Sequence, residues 1–178
     1  MRIVFLIILA FHRYFILAAI TFKLEMKPDP TPEERAAYLA IEKAMTSAVK
    51  RYQKYVDVNT TITVKYMPGV KTADAAHDAR EIRFGSHQEY WNERVALHEI
   101  AHILGVGWHA FDERCKKKTW TVATKVLRQF SKEKNDAEVH CGGGHFWPYG
   151  LNYPKEFSET NADRHCQMIK AMRDDGMH

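Results

Sequence analysis

Residues 92–107 read NERVALHEIAHILGVG, and the outcome for the whole chain turns on that stretch. Asn92 is a good helix N-cap, and Glu93 suits the positive end of a helix dipole. Gly105 and Gly107 stop the helix. Within it, His98 and His102 are four residues apart. At about 100° per residue they lie nearly on one face, one turn apart. Two imidazoles so placed can bind one zinc ion at ~2.0–2.1 Å each. Glu99, on the adjoining face, can reach a water on that ion and take its proton. In a chain of 178 residues with ten histidines, His-Glu-x-x-His arises by chance roughly 4% of the time. The capped helix, the short strand before it and the glycines after it sharpen the match. The rival reading is two surface histidines on an amphipathic helix.

A catalytic zinc site takes three protein ligands and leaves one position open. The spacing HExxHxxGxxH is followed as far as Gly105, but its last His falls on Trp108, and His109 comes one residue late. Gly107 could absorb that extra residue. His145 competes from GGGHFWPYGLNY (142–153), whose glycines let the backbone approach a site closely. Asp112 and His140 are further candidates. Tyr149 and Tyr153 lie in or beside the same block, and buried phenols can donate to an oxyanion. Spacing alone leaves the third ligand open.

Working outward, Thr31, Pro32 and Glu34 form a capping box opening a helix that runs to about Tyr55. Its apolar face is Ala37, Ile41, Ala44 or Met45, Ala48 and Tyr52. Thr61 to Tyr66 alternates as a half-buried strand, and Glu81 to Phe84 is a second. Val70 to Ala79 is a loop or short hairpin. Lys118 to Lys132 carries helical spacing, 135–154 is irregular and Gly-rich, and Ser158 caps a last helix stopped by Gly176. The order predicts an α+β fold with a small sheet, an active-site helix and a C-terminal helix.

Apolar residues at 46%, charged residues at 27% and a formal charge of +4 describe one ordinary globular domain. The basic run Arg114, Lys116, Lys117 and Lys118 reads as a solvated loop. No aromatic platform interleaves with it, so nucleic acid is not an expected partner. Residues 1–22 read as a signal peptide, with Ala18-Ala19 as the small residues before a cut, or as an uncleaved membrane anchor. Arg13 in mid-span disfavours the anchor. The chain is therefore expected to be secreted, or else membrane-anchored outside the cytoplasm. Residues 23–30 are a linker, and 31–178 the domain. Asn59-Thr60-Thr61 is a glycosylation sequon.

Several blocks together resemble a group of secreted bacterial zincin-like metallopeptidases often joined to carbohydrate-binding modules. They are MPGV (67–70), TADA (72–75), IRFGS (82–86), NERVALHEIAHILGVG (92–107), HFWPYGLNY (145–153), ETNADRHC (159–166) and AMRDDG (171–176). The resemblance runs from about Pro30 to Gly176. It implies a zincin-like fold, His145 as third ligand, and Glu81–Phe84 as an edge strand beside the cleft, where an extended peptide can add by main-chain hydrogen bonds. It also implies a Cys141–Cys166 disulfide with Cys115 free. Glycoside hydrolysis would need paired carboxylates, and none is identifiable. The resulting expectation is a zinc-dependent peptidase with Glu99 as general base and Tyr149 as oxyanion donor. The alternative is a secreted zinc-containing accessory module without turnover.

Overall fold

The computed structural model describes residues 19–130 and 137–178. The first eighteen residues of the expected targeting segment lie outside them, as does the end of the expected helix 118–132.

Four strands form the main sheet: β1 (Ile20–Glu25), β2 (Thr60–Tyr66), β3 (Ala73–Ala76) and β4 (Glu81–Phe84), in the order β1-β2-β4-β3. β1 corrects the sequence reading, because it takes residues from both the expected targeting segment and the expected linker. Ile20, Phe22 and Leu24 alternate with Thr21, Lys23 and Glu25, a period of two hidden behind the continuous apolar run that precedes it. β1 pairs with β2 in parallel from Ile20 opposite Thr60 to Glu25 opposite Lys65. A parallel pair needs a long crossover, and helix α1 (Pro32–Tyr52) supplies it.

The capping box forms as expected: the Thr31 hydroxyl accepts from the Glu34 amide, and a Glu34 carboxylate oxygen accepts from the Thr31 amide. The apolar face of α1 is buried on the sheet, where Ile62, Val64, Ile82 and Phe84 are fully covered. Each such side chain contributes roughly 1.5–3 kcal/mol.

β2 and β4 are also parallel, and β3 turns back antiparallel to β4. The edge strand on the cleft side is therefore β3, and Glu81–Phe84 is internal. The swap has a plain cause: β4 is paired on both sides, by β2 and by β3, whereas β3 has β4 alone. Helix α2 (Glu93–Ile103) follows, and the Asn92 side chain caps it by accepting from the Val95 amide. The basic run is not a loop. It belongs to helix α3 (His109–Lys117), with Asp112 in its first turn and Arg114, Lys116 and Lys117 in its last. That polarity complements the helix dipole. Helix α4 (Thr121–Phe130) and helix α5 (Glu159–Asp174) complete the helical layer. The Gly-rich stretch holds a small hairpin, β5 (His140–Gly142) and β6 (His145–Trp147).

Arg51 knits these helices together at the N-terminal end of α2. Its guanidinium donates to Glu93 at 2.7 Å, Glu159 at 2.6 Å and Asp163 at 2.8 Å. The helix that carries His98 is thus pinned to α1 and α5 before the site begins. None of the described helices is long and apolar enough to cross a membrane.

Candidate metal centre

On α2, His98 and His102 project into one cleft of about 490 Å³. The chain leaves the helix at Leu104, turns through Gly105 at φ +118° and Gly107 at φ +80°, and enters α3. Val106 donates its amide back to the Ala101 carbonyl at 3.0 Å, which closes the helix end. The same turn returns the Val106 carbonyl to His102, whose Nδ1–H donates to it at 3.0 Å. The His98 Nδ1–H donates to the Gly150 carbonyl at 2.9 Å. Each ring is thereby held as the tautomer with a bare Nε2. The two Nε2 atoms stand 3.3 Å apart. Two nitrogens at ~2.05 Å from one tetrahedral ion would lie about 3.3 Å apart.

His145 arrives from the other side. Gly143 and Gly144 make the two-residue turn of the β5–β6 hairpin, both with positive φ, +55° and +77°. Glycine tolerates that combination where other residues do not. His145 is the first residue of β6, opposite Gly142. Its ring centroid lies 5.1 Å from that of His98 and 5.2 Å from that of His102, and those two are 4.9 Å apart. One ligand atom from each of the three lies within 4.8 Å of the others. Three neutral-capable imidazoles converging at this spacing, two with Nδ1–H held by carbonyls, fit a zinc ion by donor type and by orientation.

The approach depends on bare glycine backbone. A methyl group on Gly107 would lie 2.9 Å from the Gly144 carbonyl oxygen, and one on Gly150 only 2.1 Å from the Phe146 oxygen. Packed against these turns is a fourth histidine that the sequence reading passed over. His165 is fully buried. Its Nδ1–H donates to the Tyr149 carbonyl at 2.7 Å, and its Nε2 lies 2.8 Å from the Tyr52 hydroxyl and 3.2 Å from the Leu97 carbonyl. It joins α5 to α1, α2 and the His145 loop. Nothing in its spacing marked it, since its partners are distant in sequence.

The other candidate ligands do not join the cluster. His109 and Asp112 are exposed on the first turn of α3, and His140 is exposed on β5. The two tyrosines also stand elsewhere. The Tyr149 hydroxyl accepts from Arg164 Nη1 at 3.1 Å, and its ring packs on Phe130 and under the same guanidinium. Tyr153 is exposed and lines no part of the cleft. Tyr149, the expected oxyanion donor, is not among the residues that line the cleft: the loop turns at Tyr149 with φ +69°, and its phenol packs against α5. The phenol that does line the cleft is Tyr90.

The disulfide also differs from expectation. Cys115 on α3 pairs with Cys141 on β5, and Cys166 is free and buried. Cys166 is buried on α5 beside His165 and Ile169, whereas Cys115 and Cys141 stand with their Cα atoms 5.9 Å apart.

Electrostatics in the cleft follow burial. Glu99 is 6% exposed. Burial, then the nearby Asp74, pushes its carboxyl up to about 8, against a smaller downward pull from Arg94. Burial, followed by repulsion from His102, pushes His98 down to about 3, and burial also lowers His102. Neutral imidazoles are the form that binds a metal. Asp74 does not compete for this chemistry, because Arg83 grips both its oxygens at 2.6 and 2.8 Å. Comparison with protein-family models, with curated proteins and with solved structures finds no match.

Proposed function

We propose that the protein is a zinc-dependent peptidase with a zincin-like fold, exported from the cytoplasm. The observation that carries this reading is the convergence of His98, His102 and His145 in an open cleft beside Glu99. When bound, zinc supplies a Lewis acid that polarises a carbonyl and acidifies water. The chain's own residues do the rest. The two helical histidines present Nε2 because the Gly150 and Val106 carbonyls hold their Nδ1–H groups. Glu99, whose carboxyl the charge of a bound cation would return to its ionised form, would take the proton of the attacking water and deliver it to the leaving amine nitrogen.

Glu99 also distinguishes this reading from a zinc-bearing accessory module. It has no ion pair and no side-chain hydrogen bond among the described residues, and it lines the cleft. Burial without a partner raises this carboxyl, and chemistry at the cleft gives such a group a use. Peptides are favoured over glycans because the second cleft carboxylate, Asp74, is committed to Arg83. The edge strand β3 lines the cleft with Ala73 and Ala75, small side chains beside which an extended peptide can add main-chain hydrogen bonds. The Cys115–Cys141 disulfide supports an oxidising compartment. The test is Glu99→Gln: zinc per chain stays at the wild-type value while peptide turnover falls by orders of magnitude, roughly 10²-fold or more. Equal turnover in the variant would refute the assigned base.

A further inference from the structure

Arg94 stands four residues before His98 and eight before His102, so the three form one stripe along α2. Four residues advance about 6 Å along a helix and return to nearly the same face. Arg94 is only 7% exposed and lines the cleft with the histidines. Its Nη1 donates to the Leu151 carbonyl at 2.8 Å and, weakly, to that of Asn152 at 3.5 Å. No carboxylate pairs with it among the described residues, unlike Arg51 and Arg83. A buried guanidinium without a counter-ion is uncommon, because the desolvation of its charge goes uncompensated.

A guanidinium offers five N–H donors in a planar fork. Among the described residues, the hydrogen bonds of Arg94 occupy Nη1 alone. Its Nε and Nη2 have no hydrogen-bond partner among the described residues. Arg94 also borders a smaller groove with Glu93 and Glu159, where an incoming anion meets two carboxylates. The main cleft places no unpaired carboxylate at Arg94 except Glu99, which works one turn further along.

We propose that Arg94 is a specificity subsite for a substrate carboxylate, bound in the cleft one to two residues from the point of cleavage. The inference rests on the peptidase reading above. The carboxylate is either an Asp or Glu side chain or the peptide's free C-terminus. Nη1 stays on the Leu151 carbonyl and aims the fork, and the remaining N–H groups receive the anion side-on. Leu151 itself is fully buried with φ +58°, so the guanidinium is positioned by backbone that packing holds in place.

The test uses zinc-loaded protein arrested by Glu99→Gln and equilibrated with two pools of hexapeptides, one amidated and one with free C-termini. Retained peptides are identified by mass spectrometry. Enrichment of Asp and Glu over Asn and Gln in the amidated pool identifies a side-chain carboxylate. Enrichment of free over amidated peptides identifies the terminus. We expect roughly tenfold in one arm, lost when Arg94→Met is added while zinc per chain is unchanged. If Arg94→Met fails to fold, Arg94→Lys decides: a reduced preference supports the subsite, and an unchanged one overturns it. Retention without carboxylate preference, or a preference that survives Arg94→Met, overturns the subsite and leaves the peptidase reading standing. No peptide retained at all removes the peptidase reading and the subsite with it.

Discussion

Replacing Cys115 by Ser should both destabilise the protein and weaken its hold on zinc. The bridge joins α3 to β5 across a sequence separation of 26. For a loop of that length, chain entropy alone gives about 3.5 kcal/mol at 25 °C. Polar replacement at half-buried Cys115 adds little, since its side chain keeps access to water. The loss of stability is therefore set by the unfolded chain and should appear in urea unfolding of metal-free protein as a lower midpoint with a steeper slope, because the unfolded chain without the bridge is less compact. The second effect is local. Cys141 faces Phe146 across the hairpin, and His145 precedes Phe146. Releasing the bridge loosens the strand that positions His145, and supporting interactions of this kind are worth ~10–100-fold in metal affinity. Competition with a chromophoric chelator would measure it. Cys166→Ala is the control, because that thiol is free and sits on α5. A Cys115→Ser protein within about 0.5 kcal/mol of wild type, or a non-reduced peptide map linking Cys166 to either partner, would refute the reasoning.

His145→Ala should cost zinc affinity by roughly 10²-fold or more, and His109→Ala should leave it unchanged; the same chelator competition separates them, and equal losses would sink the ligand set. Gly107→Ala forces an L-residue to φ +80° against the Gly144 oxygen at 2.9 Å, so stability should fall by ~1–2 kcal/mol and zinc affinity with it, measured by thermal melting with and without zinc. His165, which burial holds near 4, is neutral in the folded chain but titrates near 6.5 when unfolded. The unfolded state then takes up the extra proton, so the stability associated with His165 is complete above pH 6.5 and drains away as pH falls to about 4, by roughly 3 kcal/mol. Urea titrations of chelated wild type and His165→Gln should differ in slope across that window, and parallel curves would contradict it.

The helix of His98, Glu99 and His102 was legible in the sequence because every element of its signal is local. A cap, a period of 3.6 and a glycine stop all lie within sixteen consecutive residues. The same holds for α1, whose capping box and buried face appear where the spacing put them. The class, helices on a small sheet, follows from the order of such segments. What escaped were the relations between segments. β1 could not be separated from the apolar run before it until its pairing with β2 was known. β3, not Glu81–Phe84, became the edge on the cleft side because β2 and β3 flank β4. The basic run of α3 looked like a loop since its helical face buries little beyond Phe111.

At the site, spacing left the third histidine open between His109 and His145. The tertiary structure brings in His145 and leaves His109 outside, because the turn at Gly107 meets the hairpin at Gly144. That contact spans 37 residues of chain, and no local propensity encodes it. The cysteine pairing was decided the same way, by which distant residue the fold brings up to Cys141. Tyr149 carried the right functional group in the right block, yet its phenol went to Arg164. Arg94 carried no motif at all; burial in the cleft without a carboxylate partner, a property of the folded molecule, sets it apart from Arg51 and Arg83. Residue chemistry and short-range periodicity are written in the chain, whereas the choice of partner is made by packing, when the whole molecule must cover its apolar surface at once.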